Sequence, residues 1–172
     1  MPEIARADFM RRQEIFLPDG GLSVLVVARP LDESTVARAL PLRRTAAGRA
    51  PAGTVPVWIS EAMADQFGWQ PGKVVALPLG GVAREFHVNG VWRDYSRQTG
   101  ALMIDLAVYR KLTGDLRVND AAISVDDPAS SEQVAGRLLA LADGATLEVA
   151  RPGEIRQISL RIFDRTFAVT YL

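Results

Sequence analysis

The chain has 172 residues, of which 48% are apolar and 23% charged, a composition typical of a globular domain with a buried core. Twenty basic and twenty acidic residues cancel, so no net charge attracts the chain to nucleic acid or to an anionic surface. Cysteine is absent, which excludes disulfides and thiolate metal ligands. MPEIARADFMRR lacks the apolar run of a secretory signal, and no segment reaches the about 20 apolar residues of a membrane helix.

The chain begins with two predicted strands, at Ile4–Leu17 and Leu22–Arg29. They are joined by PDGG, whose Asp-Gly step favours the positive φ angles of a tight hairpin. A short helix is predicted at Glu33–Leu40. The following segment, Pro41–Thr54, has no acidic residue and no hydrophobic periodicity. Its Pro, Gly, Ala and Arg residues predict a mobile loop at residues 41–54.

The segment VPVWISEAMADQFGWQPGKVVALPL has the densest pattern in the chain. Val55–Ile59 is a predicted strand, Ser60 is the expected N-cap of a short helix, and Gly68 is its expected C-cap. A turn in QPG leads into a predicted strand at Lys73–Leu79.

A second hairpin is predicted at Gly80 and Gly81, followed by REFHVNGVW, in which apolar residues alternate as in a strand. Gly90 interrupts the alternation, and a glycine inside a strand pattern predicts a β-bulge. We expect the bulge to change the directions in which Val91 and Trp92 point.

The remaining chain alternates strands and helices. ALMID is a predicted strand, LAVYRKLTG a helix ended by Gly114, and AAISVD another strand. DDPASSEQVAGRLLALADG is a helix capped by Asp127 or Ser130 and ended by Gly144, with an apolar stripe of Val134, Leu138 and Leu141. ATLEVA, at residues 145–150, is the last predicted strand. The order of elements predicts the α+β class, a mixed sheet with short helices packed on it.

The sequence supplies few groups for catalysis. His87 is the sole histidine and lies in the strand EFHVNG, where a histidine is more often structural than a general base. No GxSxG segment supplies a nucleophile, and one histidine without cysteine cannot build the usual zinc sites. Asp126, Asp127 and Glu132 have the spacing of a helix start, which we favour over a cation site. We therefore predict no catalytic, metal-binding or cofactor-binding residue, and no enzyme activity.

Nucleotide and nucleic-acid patterns are also weak. QPGKVV lacks the upstream Gly and the Ser or Thr of a phosphate-binding loop. WRDYSRQ (Trp92–Gln98) places aromatic residues beside arginine, as a base-stacking surface does. With zero net charge we favour core packing with a local ion pair, and we predict no nucleic-acid partner. Arg43, Arg44 and Arg49 in the predicted loop are able to meet anionic lipid headgroups, although a solvated loop is the simpler interpretation.

The run from Val57 to Asp105 and the helix after it resemble the extracytoplasmic domain of FtsX/MacB-like ABC transporter permeases. The resemblance is carried in order by ISEAMADQFGWQPGKVVALPL, FHVNGVWRDY and GALMIDLAVYRKLTGD. Tyr109 and Leu112 supply the Tyr-x-x-Leu step of the family, and residues 1–54 match only loosely. One departure is Lys73, where the family often has Asp or Glu; we expect this position to be exposed.

The resemblance implies a MacB-like periplasmic α+β domain at residues 1–152. It also implies a C-terminal helical stem and the start of a truncated transmembrane helix at residues 153–172, where SLRIFDRTFAVTYL is similar to such a stem. In function it implies a non-catalytic domain on the periplasmic side of the inner membrane that contacts substrates or partners and couples to export. The implied partners are a separate ABC ATPase subunit, and a lipoprotein, lipid or peptide substrate or a periplasmic protein.

An alternative is a stand-alone cytoplasmic ligand-binding module of the double-psi kind, because its strand, helix, glycine turn and strand follow in the same order. Long apolar segments on both sides of the chain in the full gene would select the permease interpretation. Substrate, partner proteins, oligomeric state and the role of the basic loop 41–54 do not follow from the sequence.

Overall fold

The computed structural model describes residues 1–17, 23–31, 36–48, 50–94, 100–141 and 147–150. The chain divides into two compact units, Ala7–Ile123 and a second unit that combines Met1–Arg6 with residues from Ser124 onward. An eight-stranded mixed sheet with short helices is present in the described ranges. This confirms the predicted α+β class.

The strands are β1 (Ile4–Phe16), β2 (Ser23–Arg29), β3 (Leu42–Thr45), β4 (Val55–Ser60), β5 (Val74–Leu79), β6 (Val82–Trp92), β7 (Ala101–Asp105) and β8 (Asp120–Val125). The helices are α1 (Val36–Ala39), α2 (Glu61–Phe67), α3 (Leu106–Thr113) and α4 (Ser131–Leu141), the last preceded by a 3-10 turn at Pro128–Ser130. The strand order is β3-β6-β4-β7-β2-β1-β8, and β5 also pairs with β6. β2 with β7 and β4 with β6 are parallel pairs, whereas β1–β2, β3–β6, β4–β7 and β5–β6 are antiparallel.

Local signals set the ends of α2 as the sequence predicts. The hydroxyl oxygen of Ser60 accepts a hydrogen bond from the backbone N–H of Met63 at 3.2 Å, and Gly68 closes the helix with φ of 61°. The same oxygen accepts from the backbone N–H of Ala101 at 3.0 Å. Ser60 therefore caps α2 and also ties it to the start of β7.

Both faces of the sheet in the larger unit are buried, because alternate residues of β4 enter two different cores. Val57 and Ile59 belong to a core covered by α2 and α3. Trp58 belongs to the second core, on the side of α1, together with Leu31, Val36, Leu40, Trp92 and Ala101. Consecutive residues of a strand point to opposite faces. Because both faces of β4 are covered, nearly all its residues are apolar and no alternation with polar residues is seen.

The predicted bulge is present in β6 and decides which core its last residues enter. Val88 lies opposite Val57, but Gly90 lies opposite Trp58, so Asn89 is an extra residue relative to β4. Val91 follows Val88 by three positions, yet both side chains lie in the same core. In a regular strand, residues three positions apart point to opposite faces. The adjacent Trp92 joins the second core. The bulge thus determines which core each of these two residues enters: Val91 the first and Trp92 the second.

The second unit has its own contacts. The side chains of Val134 and Ala135 in α4 are buried, and Arg137 Nη1 lies 2.9 Å from Glu3 Oε1. The backbone N–H of Asp126 donates to the carbonyl oxygen of Glu3 at 3.1 Å. Of the predicted apolar stripe of α4, Val134 is buried, whereas Leu141 is 71% exposed.

Two sequence predictions need correction, and others lie outside the described residues. Part of the predicted loop 41–54 is the strand β3, since Leu42–Thr45 pairs with the end of β6; the mobility of the loop stays a prediction. The predicted strand at 145–150 is wrong for the described residues 147–150, where Leu147 and Val149 are exposed and unpaired with any strand. The PDGG turn, Gly144 and the stem at 153–172 lie outside the described residues.

We predict that Gly90→Ala destabilises the fold by about 1–3 kcal/mol, because the added methyl group overpacks the bulge. A Cβ atom at this position would lie 3.0 Å from the carbonyl oxygen of Arg44 and 3.1 Å from Trp58 Cδ1. The measurement is the free energy of unfolding in urea.

The matched control is Gly136→Ala in α4, where an added Cβ meets nothing within 4 Å. This change is expected to stabilise by up to about 1 kcal/mol, since alanine favours a helix interior over glycine. Equal stability of the Gly90→Ala variant and the parent chain would show that the bulge is not tightly packed.

Candidate functional site

The surface beside α2 carries a cluster of charged side chains at the end of the sheet. Arg93 Nε donates to Glu61 Oε2 at 2.8 Å, and its backbone N–H donates to the carbonyl oxygen of Pro41 at 3.1 Å. Arg44 Nη1 donates to Gln70 Oε1 at 2.7 Å. The sequence predicts a local ion pair in the segment of Arg93, but the partner is Glu61, 32 positions away, and neither this partner nor the connection to the segment before β3 is predicted.

The charges in this cluster are predominantly positive. The hydrogen bond and charge of Arg93, together with the charges of Arg43 and Arg44, lower the pKa of Glu61. All three guanidinium groups therefore lie within electrostatic reach of one carboxylate. We call Arg43, Arg44 and Arg93, with Glu61 and Gln70, the α2 arginine surface.

An open groove of about 400 Å³ lies on the side of the sheet that carries the second core. Its lining is largely apolar and consists of Val36, Leu42, Thr45, Ala46, Gly48, Trp58 and Asn89. Grooves of this size accommodate small ligands or single side chains of a partner. Trp58 contributes to the lining although its side chain is only 3% exposed.

A polar cluster fixes the segment after α3 to β1. Arg11 Nε donates to Asp115 Oδ2 at 2.9 Å, and both side chains are 12% exposed. The hydroxyl of Tyr109, a fully buried residue, donates to Gln13 Oε1 at 2.6 Å. Arg117 adds a hydrogen bond to Asp115 Oδ1 at 2.8 Å. These bonds satisfy one another within the fold, which indicates a structural rather than a catalytic role.

The pKa values in this cluster follow from its geometry. Hydrogen bonds from Arg117 and from Arg11 lower the pKa of Asp115 far below its usual range. Burial, and then the charge of Asp115, raise the pKa of Tyr109. The carboxylate is thus kept ionised and the phenol neutral, so the cluster is most stable near neutral pH.

The residues considered for chemistry occupy structural positions. His87 is 4% exposed, and its Nδ1 is hydrogen-bonded to Asn89 Oδ1 within the bulged strand. Asp127 Oδ1 accepts from the backbone N–H of Ala129, the capping role that its spacing predicts. Trp92 is buried in the second core, which excludes it from a stacking surface. Lys73 is exposed, as expected.

The described residues carry neither a metal-binding cluster nor a membrane-spanning helix. No three His, Asp or Glu side chains lie together there in a way that would hold a metal ion. None of the helices in the same ranges combines the length and the apolar character needed to cross a bilayer.

Comparison with known proteins gives its result at the level of the fold. No protein-family model and no curated protein matches the chain. The extracellular domain of the noncanonical ABC-type transporter YknZ from Gram-positive bacteria superposes with a TM-score of 0.57 and 15% identity, covering 84% of this chain and 79% of that domain. The periplasmic region of MacB from Actinobacillus actinomycetemcomitans superposes with a TM-score of 0.54 and 16% identity. The match covers 82% of this chain and 67% of that region. The chain has the MacB-like fold. This confirms the fold that the sequence resemblance implies.

Sequence reasoning missed the cluster around Asp115 and the arrangement of the α2 arginine surface. Arg11 and Asp115 are 104 positions apart, so no local pattern joins them. Asp115 does follow Gly114, and a carboxylate directly after a helix C-cap is a signal for a loop anchor. The sequence places Arg43 and Arg44 in a predicted loop, because the strand that carries them is only four residues long.

We predict that Asp115→Asn lowers stability near neutral pH and that the difference decreases as the pH falls below about 4. The folded-state pKa of Asp115 is below the unfolded value of about 3.9, so its contribution is present above that pH and is lost as the pH falls through the folded pKa. Urea unfolding from pH 7 down to pH 2 measures how the difference between the variant and the parent chain decreases.

The matched control is Asp120→Asn, which removes an exposed ion pair with Arg12 whose N–O distance is 3.2 Å. Exposed pairs contribute little, so this variant should stay close to the parent chain at every pH. A pH-independent loss for Asp115→Asn would contradict the electrostatic origin of the effect.

Proposed function

We propose that the chain is the extracytoplasmic domain of an ABC transporter permease subunit. The proposal is supported by one observation, the fold shared over 84% and 82% of the chain with the YknZ and MacB domains. Both of those domains lie outside the cytoplasm in their own transporters. The protein that carries this chain would accordingly sit in the inner membrane, with this domain on the periplasmic side.

We propose a role in contact and coupling rather than in catalysis. The sole histidine is buried and hydrogen-bonded to Asn89, and the carboxylates of Glu61 and Asp115 are held by arginines. These side chains are engaged in contacts within the fold. In contrast, the exposed Arg43 and Arg44 and the open groove are accessible to a partner. In an export-type transporter, these surfaces would contact a substrate or a periplasmic protein while an ATPase subunit acts across the membrane.

We further propose that residues 1–152 form the extracytoplasmic domain and 153–172 a stem that leads to a membrane helix. The proposal rests on the sequence alone. Ile155, Ile158 and Ile162 share a helical spacing, and Thr166–Leu172 carries no charge.

Location is tested by labelling a single cysteine in whole cells. The chain contains no cysteine, so Lys73→Cys introduces one exposed thiol into it, directly before β5; any cysteine elsewhere in the full-length protein is first replaced by serine. The full-length protein is expressed from its gene, and the outer membrane of the cells is made permeable while the inner membrane stays intact. We expect a membrane-impermeant maleimide to label this thiol under these conditions. The measurement is the labelled fraction before and after the inner membrane is lysed.

The matched control is Ile59→Cys, whose side chain lies in the core and is fully buried, and which should be labelled only after denaturation. Labelling of Lys73→Cys only after lysis would place the domain in the cytoplasm and favour the stand-alone module.

The stem is tested by deleting Thr166–Leu172 from the isolated chain. We expect the melting temperature to change little and self-association to decrease, because Phe167, Val169 and Leu172 offer apolar area that a second molecule would bury. Light scattering and thermal unfolding provide the two readouts. Unfolding of the truncated chain would show that the segment belongs to the core.

A further inference from the structure

The α2 arginine surface is built by a second irregularity in the sheet. Between Leu42 and Arg44 the register of β3 shifts against β6, so the strand bulges at Arg43. Arg43 and Arg44 are both exposed, and both act on the same carboxylate of Glu61. The bulge thus brings two adjacent arginines to one surface, where regular alternation would send them to opposite faces.

Neighbouring contacts hold two of the three arginines, Arg44 and Arg93, in place. Arg44 is fixed by Gln70, which follows α2, and Arg93 is fixed by Glu61 in the first turn of α2. The backbone N–H of Ala46 donates to the carbonyl oxygen of Asn89 at 2.8 Å, which anchors the segment that follows β3. A pre-formed set of guanidinium groups binds anions with less loss of side-chain entropy than flexible lysines.

We propose that the α2 arginine surface is a docking site for an acidic segment of a protein partner. Arg93 pairs with Glu61, and the charges of Arg43 and Arg44 also act on that carboxylate, so the surface offers guanidinium groups to the carboxylates of a partner. Arginine forks match carboxylates in geometry as well as in charge.

A lipid surface is the less suitable partner. Membrane-binding clusters typically contain about 4–8 basic residues, more than the three arginines of this surface. Here Glu61 lies among three arginines, and the whole chain has equal numbers of basic and acidic residues. A compact patch with a central carboxylate therefore fits a discrete acidic segment better than an extended anionic plane.

Addition of the partner as a further strand is also disfavoured. β3 is the terminal strand of the sheet order, but its bulge and its arginines interrupt the regular edge that strand addition needs. The partner is expected to dock through its side chains.

The proposal concerns the surface itself and does not rest on the transporter assignment, so its test uses the purified chain in solution. The probe is acetyl-Glu-Val-Glu-Val-Glu-Val-amide, which in an extended form presents three carboxylates on one side. Titration of the ¹⁵N-labelled chain at low salt should shift the arginine side-chain and backbone signals of the α2 arginine surface. The glutamine counterpart of the peptide should bind about tenfold more weakly.

Paired variants separate this site from general electrostatics. Arg43→Gln should weaken binding of the glutamate peptide by roughly threefold or more. The matched control Lys111→Gln removes one exposed positive charge from α3, which does not act on Glu61, and should leave binding nearly unchanged. The double variant Arg43→Glu with Arg44→Glu should lose the glutamate peptide and bind the corresponding lysine peptide, a rescue that a purely structural role would not produce.

Three results would overturn the proposal. One is equal loss of binding in Arg43→Gln and Lys111→Gln, which would show non-specific attraction. Another is the absence of any binding that distinguishes the glutamate from the glutamine peptide. The third is Arg43-dependent binding to vesicles of equal phosphatidylglycerol and phosphatidylcholine in the absence of peptide binding, which would assign the surface to lipid. None of these results bears on the location of the domain.

Discussion

One extra residue in β6 determines how the sheet of the larger unit packs. Asn89 shifts the pairing with β4 by one position, so Val91 enters the core beside α2 and α3 while Trp92 enters the other. A one-residue slip moves side chains to the opposite face. Without the bulge, Trp92 would enter the core beside α2 and α3, and Val91 would take its place in the second core. Gly90 is required beside it because β3 and Trp58 approach too closely for a Cβ atom.

The same irregularity divides the edge of β6 between two partner strands. β5 pairs with the part of β6 before the bulge and β3 with the part after it, and the two strands meet where Lys73 and Ala46 bond to Val88 and Asn89. Both strands are short, and the chain between them contains β4 and α2. Arg44 lies opposite Val91, which belongs to the core beside α2, whereas the groove at Trp58 lies on the side of the second core. The packing constraint and the candidate contact surfaces thus have a common origin.

The features with a local cause were predictable from sequence. Ser60 and Gly68 cap α2, Gly80 and Gly81 turn with φ of 67° and 77°, and Gly90 marks the bulge. β3 was not predictable, since LRRT has little strand propensity and becomes a strand only because β6 offers an unpaired edge. The cluster around Asp115 depends on contacts between distant segments, which no periodicity encodes. Residues 147–150 show the reverse error, because a strand pattern without a partner edge does not form a strand.

The central claim is that this fold serves an ABC transporter, and the most direct measurement is the composition of the native complex. The full-length protein, expressed from its gene with its genomic neighbours, is solubilised in a mild detergent and purified through a tag. The account predicts that it is recovered from the membrane fraction and that an ATP-hydrolysing subunit co-purifies with it. Recovery from the soluble fraction, with no associated ATP hydrolysis, would contradict the account.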